Sequence, residues 1–303
     1  MGINKQKIKK WTNMLLGNSP YHVNQNEGKA YSKTEICGYY NNLTEKVSRF
    51  GLPGDTVPMT VVDSGEKIYF SIAIIQYGLA AYDLLLLNQG DAEDLRSKVL
   101  SCAKWTVENQ EENGGWITFS KENPKNPYSS MAQGEAISLL LRAYQLEKNE
   151  VFLITAKKAY QFMIIPIANG GTAKYEGEKL YFYEYPTEPL ILNGWIFSIW
   201  GIMDYYKFFK NPDVKKILNQ TLDTLEKELP KFDTGYWSMY EEGMRICSPF
   251  YHALHIAQLN VMYDLTGKDV YKEYSDRFLK YQNKGINRKK AFIKKALQKV
   301  FKE

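Results

Sequence analysis

Apolar residues recur along most of this chain at helical spacing, and they do so in two ways. In 150–165, Val151, Phe152, Ile154, Ala156, Ala159, Phe162 and Met163 recur at the spacing of an amphipathic helix. In 190–209, apolar residues occupy nearly every face, which predicts a helix buried all round. The same reading predicts helices over 68–88, 93–109, 129–147, 150–165, 190–209, 212–229, 249–266 and 268–282. Asn211-Pro212 supplies a cap followed by a first-turn proline, and Val214, Ile217, Leu218, Leu222 and Leu225 then mark one stripe. Ser248-Pro249 opens the next helix in the same manner, and Thr266-Gly267 closes it.

Between these helices lie segments with turn chemistry. Glu112-Asn113-Gly114-Gly115 is one, and 121–127 carries two prolines. Residues 173–185 alternate aromatic and charged side chains around Gly177, which predicts a short hairpin. Continued through 183–185, that alternation puts Tyr183 and Tyr185 on one face and Glu184 on the other. Fully apolar helices alternating with one-sided ones fit concentric hairpins, inner helices buried and outer ones amphipathic. The expected fold is therefore mostly α, an (α/α) toroid of helical hairpins. The chain divides into an irregular, part-β cap (1–66), the toroid (67–283) and a basic amphipathic tail (284–303). There is no βαβ alternation to build a doubly wound sheet.

One stretch is long enough to span a bilayer, 68–87, but it carries Gln76 and Asp83 and is read as a core helix. The net charge is +5, yet 284–303 alone hold eight Lys or Arg against one Glu. The body is thus slightly acidic, and a nucleic-acid partner, which needs charge spread over a face, is not expected. Three cysteines, Cys37, Cys102 and Cys247, with no CxxC spacing exclude a disulfide scaffold and a zinc ribbon. Residues 1–20 are basic but have no apolar core, so no leader is read and a cytoplasmic location is expected.

Common catalytic signatures are missing: GxGxxG, GxxxxGK[ST], HExxH and GxSxG do not occur. A metal site of the three histidines, His22, His252 and His255, would have to join distant segments, and no metal or cofactor is expected. Tyrosine is plentiful, at 23 residues. Three places concentrate it beside other reactive groups. Tyr183-Glu184-Tyr185-Pro186-Thr187 sets a carboxylate between two phenols. Asp233-Thr234-Gly235-Tyr236-Trp237-Ser238-Met239-Tyr240-Glu241 sets aromatics in a glycine-bearing loop. At the start of 249–266, Tyr251, His252 and His255 lie within one turn of each other and near a helix N-terminus.

These segments resemble, in order, the C-terminal domain of the D-glucuronyl C5-epimerases. The resemblance runs from about 68 to 280. It is carried by 68–83 (IYFSIAIIQYGLAAYD), Asn113-Gly114-Gly115-Trp116, 128–136 (YSSMAQGEA), Glu184-Tyr185-Pro186-Thr187, Leu192-Asn193-Gly194, and Tyr251-His252 with His255-Ile256 and Gln258-Leu259. Ser71 stands where the family usually has Pro, and Ser248 where animal members have Arg. The resemblance implies an (α/α) toroid that inverts C5 of D-glucuronic acid within a heparosan- or heparan-like polymer, giving L-iduronic acid. It places the family's reactive residues on Glu184, Tyr185, Tyr240 and Tyr251.

Inverting C5 requires removing a proton alpha to a carboxylate and returning one from the other face, so an acid/base pair must flank the ring. Tyr185 and Tyr251 are the expected pair, with Tyr240 as an alternative to either and Glu184 as a base or an orienting group. A phenol suits this if a cation or a helix N-terminus lowers its pKa. His252 and His255 would position the sugar carboxylate or a tyrosine. Asn113, Gln133 and Asn193 would bond hydroxyls, Trp116 and Trp237 would stack on rings, and Arg142 or Arg245 would hold developing charge. A polyuronate lyase uses the same carbanion. A glycoside hydrolase would draw on Asp233, Glu241 and Glu242. A non-catalytic glycan-binding module needs only the aromatic loops. A homodimer is left open. In the tail, Ala291, Phe292, Ile293, Ala296, Leu297, Val300 and Phe301 form a stripe beside Lys289, Lys290, Lys294, Lys295, Lys299 and Lys302. That stripe can dock on the toroid, meet a membrane surface, or leave the lysines to grip the polymer.

Overall fold

A computed structural model describes residues 22–301 apart from 24, 63, 187 and 188. Expectations placed on 1–21, on Thr187, on Lys302 and on the side chains of 299–301 lie outside the described residues.

After a short helix α1 (Glu45–Phe50), eight helices follow close to the predicted positions: α2 (Ser71–Leu86), α3 (Ala92–Glu108), α4 (Ser130–Leu146), α5 (Glu150–Met163), α6 (Leu192–Phe209), α7 (Pro212–Glu228), α8 (Pro249–Thr266) and α9 (Asp269–Asn283). A final helix α10 spans Gly285–Phe301. Their starts follow from local chemistry. Asp91, Ser129, Asn149, Asn211 and Ser248 each accept a first-turn backbone N–H, satisfying a donor that has no partner within the helix. α2 begins later than its apolar run because Lys67–Ile68 (β2) pairs with Thr60–Val61 (β1).

α2, α4, α6 and α8 form the inner layer, with α4 packed on α2 and α6, and α6 on α8. Each inner helix also packs on the outer helix that follows it, giving the hairpins α2–α3, α4–α5, α6–α7 and α8–α9. Burial tracks this division. Every residue from Ser130 to Ala143 and from Leu192 to Tyr205 is buried, whereas α7 buries one stripe containing Val214, Leu218, Leu222 and Leu225. α4 and α6 meet at their backbones: a Cβ on Gly201 would lie 2.3 Å from the Cα of Gly134.

Successive hairpins run the four inner helices in the same direction, so their N-terminal ends lie at one end of the fold. The other end is bound by the segment 25–43. Tyr39 N–H donates to Asp83 at 2.7 Å, and Tyr40 hydroxyl donates to Asp204 at 2.6 Å. Arg142, fully buried, pairs with Asp204 at 2.6 Å and donates to the Cys37 and Gly38 carbonyls. Tyr31 hydroxyl donates to Asp264, and Asn260 to Glu27. All four inner helices are thereby tied to one strap.

The polar residues inside the apolar run 68–87 are satisfied within the protein, Asp83 by Tyr39 and Gln76 by Glu135 at 2.8 Å. Among the described residues, no helix is long and apolar enough to cross a membrane. The expected hairpin forms from β3 (Ala173–Glu176) and β4 (Lys179–Phe182), turning at Gly177 with φ 57°. All three cysteines are free thiols.

Candidate functional site

The tyrosines and polar groups singled out in the sequence gather at the N-terminal end of the inner layer. β4 stops at Phe182, so the strand alternation expected for 183–185 does not continue. Instead, Tyr183 N–H donates to the Thr172 carbonyl and Tyr183 carbonyl accepts the Ser130 N–H. This carries the chain over the start of α4 and buries Tyr183 and Glu184 together. Glu184 then lies against the first turn of α6. Only glycine fits there, since a Cβ on Gly194 would come within 2.4 Å of Glu184 Oε2. Burial pushes the Glu184 carboxyl up to about 7. Tyr185 is half-buried and stacks on Phe119, ring centroids 4.0 Å apart.

The loop after α7 presents Tyr240. It folds back on itself through Tyr240 N–H to the Arg245 carbonyl at 2.7 Å and Cys247 N–H to the Ser238 carbonyl at 2.9 Å. The Tyr240 ring lies 4.7 Å from that of Tyr251, which stands in the first turn of α8. Tyr251 hydroxyl is 3.5 Å from His22 Nε2. Contrary to the expectation of lowered phenols, Tyr185, Tyr240 and Tyr251 are all raised, first by burial and next by the charge of Glu184. The N-terminus of α8 does not offset this. The three phenols are therefore neutral hydrogen-bond and proton donors grouped around one carboxyl.

The histidines have a different place from the one expected. His252 is fully buried; its Nδ1 accepts the Ser238 N–H at 3.1 Å and its Nε2 donates to the Phe278 carbonyl at 3.0 Å. That fixes the neutral Nε2–H tautomer. Burial lowers His252 to about 4 and His255 to about 3. Both are therefore neutral at pH 7. His252 instead holds the loop in place, with Trp237 stacked on it at 3.6 Å. His255 Nδ1 lies 3.3 Å from Ser238 Oγ, and its Nε2 has no partner among the described residues.

Both tryptophans named as stacking platforms are core residues. Trp116 is 1% exposed and donates to the Thr106 carbonyl; Trp237 is 1% exposed and donates to the Cys247 carbonyl. Neither offers a ring face to a sugar. Asn113 is spent on a turn, donating to Tyr128 hydroxyl and accepting the Gly115 N–H. Arg142 serves the strap at the opposite end. Arg245 forms a two-point pair with buried Glu241. The carboxylates considered for hydrolysis are each ion-paired: Asp233 with Arg277, Glu241 with Arg245, Glu242 with Lys231.

Gln133 and Asn193 do join the cluster. Both are buried, and Gln133 Oε1 and Nε2 and Asn193 Oδ1 have no hydrogen-bond partner among the described residues. Glu184 Oε2 and Gln258 Oε1 share that property. Buried polar atoms are normally paired, so such a concentration at one end marks a place for polar ligand atoms. Gln258 ties α8 to α6 by donating to the Asn193 carbonyl. It was missed as a site residue, as was buried Glu135, pushed up to about 8 by burial. Both stand in motifs that carried the resemblance, directly after or near residues that were chosen. Gln298 of α10 was missed too, and Lys295, expected among the solvated tail lysines, turns inward instead. Lys295 donates to the Ile246 carbonyl at 2.6 Å and lies 5.7 Å from the Tyr240 ring. Gln298 accepts the Ile246 N–H and donates to the Met244 carbonyl. Among the described residues, no group of three or more His, Cys, Asp or Glu is disposed to hold a metal ion.

A D-glucuronyl C5-epimerase of Caenorhabditis elegans is 26% identical over 210 residues, 60% of this chain and 34% of that protein. A protein of Methanocaldococcus jannaschii described as uncharacterized is 29% identical over 151 residues, 48% of this chain and 49% of that one. The chain spans about a third to a half of the length of these curated relatives. A sequence model of the family described as D-glucuronyl C5-epimerase C-terminus matches residues 110–280. That match takes in Glu184 and all three clustered tyrosines and covers more than half of the residues, and the chain belongs to this family.

Proposed function

We propose that this chain is an isomerase that inverts C5 of D-glucuronic acid residues within a heparosan- or heparan-like acidic polysaccharide. One observation carries the reading: a buried carboxyl held near 7, Glu184, lies near three phenols that burial first, and its charge next, keep protonated. The ionised Glu184 is a base matched to neutral pH. It takes the C5 proton, and the electron pair of the broken C–H bond spreads into the sugar carboxylate. A phenol on the opposite face, from Tyr185 or Tyr251, donates its proton to C5. Tyr240 is the alternative donor. The resulting phenolate regains a proton as Glu184 releases one to solvent, and the roles reverse for the return reaction. The amides of Gln133 and Asn193 supply preorganised dipoles for the charge that develops.

Incubation of de-N-acetylated heparosan in D₂O tests this. Deuterium at C5 and iduronate signals in the NMR spectrum are expected. Replacing the donor phenol, by Tyr185→Phe or by Tyr251→Phe, should lower turnover by about 10²–10⁴-fold, the usual contribution of acid/base catalysis. Full activity in both variants rules out Tyr185 and Tyr251 as the donor. Unsaturated uronate absorbance without iduronate would assign the same carbanion to a lyase. Binding of the polymer with neither exchange nor elimination would leave a glycan-binding module.

A further inference from the structure

Helix α10 has two working faces. Ala291, Lys295 and Gln298 point inward: Ala291 packs with Trp237, Ile246 and Cys247, and the other two bond the loop backbone. The opposite face carries an exposed apolar ridge. Ile286, Ile293 and Leu297 fall in one line along the helix and are 77%, 59% and 44% exposed. Helical geometry sets Lys290 and Lys294 along one side of this ridge and Lys289 along the other, and all three are exposed. Shallow grooves lined by these lysines run beside Ile293. Phe292 and Arg288 extend the same pattern on one flank.

We infer that this face of α10 docks on an anionic lipid surface, with the Ile286–Ile293–Leu297 ridge entering the headgroup layer and the flanking lysines reaching the lipid phosphates. Two features select this occupant. Residues 285–301 hold six basic side chains and no acidic one, so a second copy packed ridge to ridge would bring like charges together. A polyanionic chain would satisfy the lysines but leave the apolar ridge in water. A lipid surface matches both, since long lysine stems can lie along apolar surface while their ammonium groups stay among the headgroups. The inference is independent of the reaction proposed above, and its readout is not activity.

The full chain is sedimented at low salt with vesicles of equimolar phosphatidylcholine and phosphatidylglycerol. Binding is expected there, with little on phosphatidylcholine alone. Each lysine near an anionic surface is worth about fivefold in partition, so Lys289→Gln, Lys290→Gln and Lys294→Gln together should lower binding about a hundredfold. Ile293→Asp should abolish it. These side chains are exposed, so melting temperature should change little, Lys290 giving up only its place 3.8 Å from the Tyr236 ring centroid. Ile293→Trp should be quenched by brominated lipid in the mixed vesicles. Failure of the full chain to sediment overturns the inference. So does binding that survives Ile293→Asp, or an unquenched Ile293→Trp. A dimer dissolved by Ile293→Asp, or retention on heparosan without vesicle binding, would hand the face to another occupant.

Discussion

Glu184 makes two opposite demands on pH. Burial raises its carboxyl from 4.5 to about 7, so between those values the folded protein holds a proton that the unfolded chain has lost. Its contribution to stability is present below about 4.5 and is lost as pH rises through about 7. In the proposed role of base it works only when ionised, so kcat/KM should climb through the same region. Glu184→Gln should abolish turnover and flatten part of the fall in melting temperature between pH 4.5 and about 7. A rate profile with no acid limb near 7 would remove Glu184 from the base role. The residues that carry this argument were legible as a set, because a carboxylate between tyrosines beside a proline is a conspicuous pattern. Their electrostatics were not. A helix N-terminus suggested lowered phenols, but burial and a neighbouring carboxylate are tertiary facts. Trp116 and Trp237 failed for the related reason that an aromatic beside a glycine reads the same whether it faces solvent or core.

At the scale of elements, helix ends were the most legible feature. Asn211-Pro212 and Ser248-Pro249 encode their caps in adjacent residues, and the observed starts fall on those prolines. What escaped the sequence is contact between distant helices. Gly134 and Gly201 look like ordinary helix glycines, yet they let α4 and α6 touch at backbone distance. Gly201→Ala would place a methyl group against the backbone of Gly134. It should destabilise the fold by about 1–3 kcal/mol, the usual penalty of overpacking, seen as a lower denaturation midpoint. An unchanged midpoint would mean that the two helices can slide apart without cost. The grip of α10 on the tyrosine loop was equally invisible, since it depends on one glutamine bonding two backbone groups 52 and 54 residues away. Gln298→Ala leaves those groups unpaired and should cost about 1–3 kcal/mol. Faster protease cleavage near Gly243 and a lower kcat should accompany it. Equal cleavage rates in the two proteins would show that the loop holds itself.

Across the whole molecule, the proposed chemistry and the cohesion lie at opposite ends of the inner helices. Glu184 and the three phenols cluster where α4, α6 and α8 begin. Arg142, Asp204, Asp83 and the strap 25–43 bind the ends where those helices finish. That arginine was one of the two candidates for holding developing charge, and a buried basic residue is costly unless it is paired. Its task is to hold the strap through a buried ion pair with Asp204 and two carbonyls. Removing one member of such a pair leaves an uncompensated buried charge, a loss of about 3–5 kcal/mol. Arg142→Met should therefore lower the melting temperature sharply. Replacing both members, as Arg142→Met with Asp204→Leu, should recover part of that loss, because two apolar side chains need no counter-charge. Below the melting transition, kcat per folded molecule should stay at the wild-type value in both variants, since no group near Glu184 has changed. A kcat that falls with Arg142→Met while the circular dichroism spectrum and the melting curve stay intact would show that the strap end reaches the chemistry after all.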